Sequence, residues 1–254
     1  MDELLDALAA QHAELAQLID VCGPDDWERP TRCEGWDVAA VLLHLAQTDE
    51  MAVASARGDL DNYGNGFIAD DDGRRRVTVD AAAAAPVDVE RAAGDDAIRT
   101  RWHAAADALQ AELAAGDPHR RVTWVSGKLS LQTLAATRLS EGWIHTGDIA
   151  AALGAELEPT DRLRHIARLA WRTLPYAFAQ DGLTMHGPVA LDLVAPSGEH
   201  WRFDPDEFAT TTIEGSAADF CAVAARRVEP DATGLVGRGP DAANVLRLVR
   251  TYAL

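Results

Sequence analysis

The chain has 254 residues, 48% of them hydrophobic, enough for a substantial core in one large domain or two modest ones. Its 41 acidic against 23 basic side chains give a formal charge of −18, which repels phosphate backbones and anionic lipid and so argues against nucleic-acid or membrane partners. No apolar run approaches the ~20 residues that cross a bilayer. The opening MDELLDALAAQ is acidic where a secretory signal carries Lys or Arg, so a soluble, cytoplasmic protein is expected.

Apolar residues at Leu4, Leu5, Leu8, Leu15, Leu18 and Ile19 recur at helical spacing and predict a first amphipathic helix over Glu3 to Ile19. Gly23-Pro24 breaks it, and after a short Trp27 to Gly35 connection Val38, Val41, Leu42 and Leu45 predict a second helix to about Ala56. The Gly- and Asp-rich stretch from Gly58 to Gly73 reads as an exposed loop. Ile98, Trp102, Ala105, Ala106, Leu109 and Leu113 predict a third helix over Val89 to Ala115, stopped by Gly116-Asp117-Pro118. A brief extended piece, Arg121 to Val125, and a fourth helix, Ser130 to Leu153, ending at Gly154, complete a four-helix bundle. Its connections are long enough for either up-down-down-up or up-down-up-down order, and periodicity does not choose between them.

Beyond Glu158-Pro159 the pattern changes to a helix over Asp161 to Gln180 and short β-like runs at Val189 to Val194, His200 to Phe203 and Thr210 to Ile213. An apolar helix over Ala217 to Arg227, an extended Gly234 to Val236 and a last helix over Asp241 to Tyr252 follow. The expected fold is mostly α with a smaller α+β part: a bundle over residues 1–157 and an α+β domain over 158–254.

Cys22, Cys33 and Cys221 are widely spaced, with no C-x-x-C pair, and read as small apolar fillers without a catalytic role. The chemistry-bearing pattern lies instead on the fourth helix. Glu141 and His145 are four apart and project a carboxylate and an imidazole to the same side. With Asp148 they form a polar line on a helix otherwise built of Leu, Ile, Ala and Trp, and an ionisable group facing a core needs a partner, a proton or an ion. His44, inside the apolar Val41 to Leu45 run, is either a core histidine bonded to a backbone carbonyl or a third ligand. Two His and one carboxylate leave an open coordination position, the pattern of catalytic rather than structural zinc. The same donors also suit nickel, iron(II) or manganese.

Arg29-Pro30-Thr31-Arg32-Cys33-Glu34-Gly35-Trp36-Asp37-Val38 with Leu42-Leu43-His44-Leu45 resembles the start of the mycothiol-dependent maleylpyruvate isomerase family, within the DinB-like metal-binding four-helix bundles. Glu141-Gly142-Trp143-Ile144-His145-Thr146-Gly147-Asp148 resembles that family's second motif. The resemblance covers about residues 1–155 and implies a divalent metal, usually zinc, on His44, Glu141 and His145, with mycothiol as thiol cofactor. The tail from Gly215 to Asp241 is similar to that of an actinobacterial subgroup whose activity is largely undefined.

The chemistry so implied is addition of the mycothiol sulfur to an unsaturated dicarboxylate, rotation about the resulting single bond, and loss of the thiol to give the trans isomer. Zinc with two neutral His and one carboxylate keeps a positive charge that lowers a thiol's pKa. An anionic substrate also needs fixed cations, for which Arg226 and Arg227 are the candidates, the alternative being a pair of solvated arginines. Asp148, one turn beyond His145, is a candidate to orient the ligand imidazole, as such ligands usually require. Trp36 and Trp143 either wall the pocket or belong to the core. The expectation is therefore an isomerase or thiol S-transferase acting on a small electrophile. A metal-stabilised ligand-binding protein and a metal-assisted hydrolase are the alternatives, and oligomeric state is not legible.

Overall fold

The computed structural model describes residues 1–60, 79–125 and 127–251. These fall into two compact units, the first spanning Met1–Leu157 and the second beginning at Glu158.

Four long helices build the first unit: α1 (Asp2–Ile19), α2 (Val38–Arg57), α4 (Asp95–Ala115) and α5 (Leu131–Leu153), with a shorter α3 (Val79–Glu90). Their ends follow from local chemistry. Asp37 caps α2 by accepting the Ala40 N–H, and Ser130 caps α5 by accepting that of Thr133. Gly58 and Gly154 close the same two helices in the left-handed conformation, with φ of 78° and 70°. The chain order around the bundle is α1, α4, α2, α5, with α1 diagonal to α2.

Side-chain contacts set the directions. Gln110 donates to the Leu5 carbonyl and His103 meets Asp20, so α4 runs antiparallel to α1. Arg101 pairs with Glu50 and Arg57 with Glu112, so α2 and α4 are parallel. Arg138 meets Asp49 while Glu141 and His145 meet His44 further back along α2, so α2 and α5 are antiparallel. The bundle is therefore up-down-down-up, the order periodicity left open. Leu8, Leu15, Ile19, Leu42, Leu45, Trp102, Leu109, Leu134 and Ile149 are buried along the inward stripes.

The third predicted helix is corrected at its start. Gly94, at φ 89°, separates α3 and the single turn Arg91–Ala93 from α4, so the chain from Val89 is not continuous helix. The extended piece after α4 is one strand of a hairpin, β1 (Arg121–Trp124) paired antiparallel with β2 (Gly127–Ser130). Most of the predicted Gly58 to Gly73 loop lies outside the described residues.

The second unit carries α6 (Leu163–Arg172), α7 (Leu174–Gln180), β3 (Val189–Val194), β4 (His200–Phe203), β5 (Thr211–Ser216), α8 (Ala217–Ala224), β6 (Val236–Arg238) and α9 (Ala242–Leu248). Pro175 cannot donate into a preceding turn, and the predicted Asp161 to Gln180 helix accordingly divides at Thr173 into α6 and α7. The sheet order is β4-β3-β5-β6, with β3 and β5 parallel and the other pairs antiparallel. Leu191, Leu193, Trp201, Phe203 and Ile213 alternate onto its buried face, while Phe220, Val223, Val245 and Leu248 are buried in α8, α9 and the intervening core. The helix predicted to Arg227 ends at Ala224, and the last one spans only Ala242–Leu248.

Candidate metal centre

α5 carries Arg138, Glu141, His145 and Asp148 at steps of three, four and three residues, one ionisable stripe on a helix whose other buried positions are apolar apart from Ser140 and Thr146. Opposite it, α2 presents His44 and, one turn later, Thr48 and Asp49. Antiparallel packing of the two helices lays these side chains along one seam.

At its centre, donor atoms of His44, Glu141 and His145 lie within 4.8 Å of one another. The Glu141 carboxylate oxygen Oε2 is 3.3 Å from His145 Nε2 and 3.8 Å from His44 Nε2, and the two imidazoles meet edge to face at 5.2 Å between centroids. A tetrahedral ion with nitrogen and oxygen ligands at about 2.0–2.2 Å separates its donors by roughly 3.4 Å, so the three side chains are spaced as a ligand set. His44 and His145 are each 8% exposed.

His145 uses both ring nitrogens. Its Nδ1 lies 3.1 Å from Asp148 Oδ2, a carboxylate with no exposure at all, and this contact fixes the ring so that Nε2 faces Glu141. Burial opposes protonation of His145, but Asp148, Cys33 and Glu141 outweigh it and raise its pKa well above the ordinary histidine value. Burial likewise pushes Glu141 up, yet the two imidazoles hold it well below the usual carboxylate range. His44 is lowered, chiefly by burial, with the Glu141 contact only partly offsetting it. Its Nδ1 is buried and has no hydrogen-bond partner among the described residues, so the backbone-bonded core histidine is not what the structure contains. Trp36 lies against the His44 ring, 5.0 Å between centroids. Trp143 is half-buried on α5.

Two features escaped the sequence reading. Cys33, expected as an apolar filler, is half-buried with Sγ 3.4 Å from Asp148 Oδ2 and 3.7 Å from His145 Nδ1. A tight turn puts it there: Trp36 N–H bonds the Cys33 carbonyl, Gly35 takes φ 79°, and the Thr31 hydroxyl accepts the Cys33 N–H while donating to the Trp36 carbonyl. The Gly35-Trp36 dipeptide was the local signal for that turn. Second, Arg138 and Asp49 form an ion pair at 2.9 Å with side chains only 2% and 3% exposed, and Arg138 also donates to Thr48. A charged residue at the same helical phase as Glu141 was its signal.

Arg226 and Arg227 belong to the second unit, just past α8. Arg226 is exposed and takes φ 58°, the one non-glycine residue among those described with a positive φ. Arg227 donates to the Ala225 carbonyl.

Residues 8–150 match the family described as the mycothiol maleylpyruvate isomerase N-terminal domain. Uncharacterised proteins from two strains of Mycobacterium tuberculosis are 31% identical over 253 residues, covering 97% of this chain and 93% of theirs. Among solved structures, the crystal structure of the mycothiol-dependent maleylpyruvate isomerase superposes with a TM-score of 0.62 at 18% identity, over 95% of each chain. A histidine-to-alanine variant of that isomerase matches equally. Match length and full-length relatives together place this chain in the mycothiol maleylpyruvate isomerase N-terminal domain family.

Proposed function

We propose that the protein is a metal-dependent enzyme that uses mycothiol to isomerise, or to transfer sulfur to, a small electrophile, an unsaturated dicarboxylate being the first to test. The observation that carries this reading is the buried His44, Glu141, His145 group, spaced as a ligand set and backed on one side by Asp148. The donor chemistry fits zinc, since two imidazoles and one carboxylate leave a divalent ion a net positive charge and an open position. When bound, such an ion lowers the pKa of a thiol and attracts an anion.

The chain's own residues do the rest. Glu141 stays ionised because the two imidazoles face it. Asp148 holds the tautomer and orientation of His145, while Trp36 shields the His44 face from water. Arg226 and Arg227, in the second unit, are the proposed cations for an anionic substrate on the ground of their charge alone.

The test is conversion of a cis unsaturated dicarboxylate by zinc-loaded protein with and without mycothiol. Turnover only with thiol is expected. Turnover without it would replace this reading by metal-assisted hydrolysis or hydration, and binding with no turnover would replace it by a ligand-binding protein. Arg226→Gly removes one proposed cation and relieves the left-handed backbone, so it should raise KM at unchanged or higher melting temperature; an unchanged KM would show that its charge plays no part.

Asp148→Asn keeps the shape but not the charge that orients His145, and the expected loss of metal affinity is 10–100-fold. Competition titration against a chelator of known affinity measures it.

Affinity should also depend on pH in a particular way. With Glu141 lowered and His44 lowered, both are already deprotonated at neutral pH, and His145, raised, is the ligand that must lose a proton. Apparent affinity therefore climbs about tenfold per pH unit through and beyond the ordinary histidine pKa of roughly 6.5, and levels only above the raised value. A plateau beginning near that ordinary value would contradict the assignment.

A further inference from the structure

The Nδ1 side of His145 faces a second donor group. Cys33 Sγ, Asp148 Oδ2 and His145 Nδ1 lie 3.4, 3.7 and 3.1 Å apart, as sulfur to oxygen, sulfur to nitrogen and nitrogen to oxygen. A tetrahedral ion with sulfur at about 2.3 Å and nitrogen or oxygen at about 2.0–2.2 Å separates such donors by roughly 3.4–3.6 Å, and each observed distance is within about 0.3 Å of that. None of the three atoms is shared with the His44, Glu141 group, which His145 faces through Nε2. Each donor is also held from behind. Cys33 sits in the turn closed by Thr31 and Trp36, and Asp148 and His145 are one turn apart on the rigid α5.

We propose that Cys33, Asp148 and His145 form a second cation position, selective for thiophilic divalent ions, so that the His145 ring stands between two metals. Binding there replaces the thiol proton of Cys33 and the Nδ1 proton of His145 by the ion; both protons leave to solvent and no oxidation state changes. With both positions filled, Glu141, Asp148, the Cys33 thiolate and the His145 imidazolate supply four negative charges against the four positive charges of two divalent cations. A sulfur donor sets the selectivity. The Nε2 side offers only nitrogen and oxygen, whereas the Nδ1 side adds a soft thiolate that favours cadmium or zinc over magnesium or manganese. This goes beyond the proposed activity, which needs only the first position.

The experiment is cadmium titration of the full-length metal-free protein, following bound metal and sulfur-to-cadmium absorption together. Wild type is expected to bind about two ions per chain with thiolate absorption. Cys33→Ser should bind one, with the absorption gone, and Cys22→Ser should match wild type, because Cys22 sits elsewhere and bonds the Leu18 carbonyl. Glu141→Gln removes a ligand of the first position only, so it should lose one ion and keep the absorption. Circular dichroism of each variant reports folding, and Cys33→Ala serves as second variant should Cys33→Ser fail to fold. One ion in wild type without thiolate absorption, or absorption surviving Cys33→Ser, overturns the second position. One ion in wild type, with thiolate absorption and unchanged by Glu141→Gln, would instead count against the proposed function alone.

Discussion

His44→Leu is expected to abolish tight binding of a divalent ion while leaving the metal-free fold at least as stable as wild type. His44 supplies one of the three donors of the central group, so its loss should exceed the 10–100-fold cost of removing a group that merely orients a ligand. The stability half follows from the unpaired Nδ1. A buried polar atom without a partner costs about 1–3 kcal/mol, and Leu replaces the imidazole with apolar bulk of comparable size among the buried Val41, Leu42 and Leu45 of α2. Bound metal should stabilise wild type by about 4 kcal/mol at a thousandfold excess over Kd and the variant by nothing measurable. Thermal melts with and without zinc read both halves. A variant that melts early without metal would mean that His44 is a packing residue.

The second large effect concerns the ion pair one turn along the seam. Arg138→Met leaves Asp49 charged and uncompensated at 3% side-chain exposure, and the expected destabilisation is about 3–5 kcal/mol. The double variant Arg138→Met, Asp49→Leu removes both charges and should recover that loss, since well-packed apolar replacements of a buried pair are often neutral or stabilising by about 1–4 kcal/mol. Metal affinity should not recover with it. Arg138 reaches across to Asp49 and Thr48 on α2 one turn from where His44 faces Glu141, and so holds the two helices in the register that spaces the ligands. A double variant with recovered stability and wild-type metal affinity would show that apolar packing alone sets the register.

The sequence made some of this legible and concealed the rest for identifiable reasons. Helical periodicity found α1, and it found α2 and α5 with their ends, because the caps Asp37, Gly58, Ser130 and Gly154 coincide with the ends of the apolar pattern. It gave no helix for the Ala-rich α3, whose run carries no phase, and it began the next helix too early at Val89, where Gly94 at φ 89° makes the break. Glu141 and His145 were legible as a pair because four residues is nearly one turn. Their meeting with His44 was legible only through the family resemblance, since residue spacing does not show that α2 and α5 are antiparallel neighbours, a fact fixed by contacts such as Arg138 to Asp49. Cys33 was hidden for a like reason: its role is set by a turn at Gly35 that aims it at α5, and composition alone makes any isolated cysteine look like filler. Arg138 has one sequence signal, its helical phase with Glu141, which places it on the same seam.

The central claim is that this seam holds a metal on which a thiol acts, and mycothiol titrated into the cobalt(II)-loaded Cys33→Ser variant tests it most directly. Removing Cys33 ensures that any sulfur-to-cobalt absorption comes from the added thiol. A saturable absorption that appears with mycothiol and is absent once His44 is also replaced by Leu is the predicted result. Cobalt bound through His44 with a spectrum indifferent to mycothiol would contradict the account.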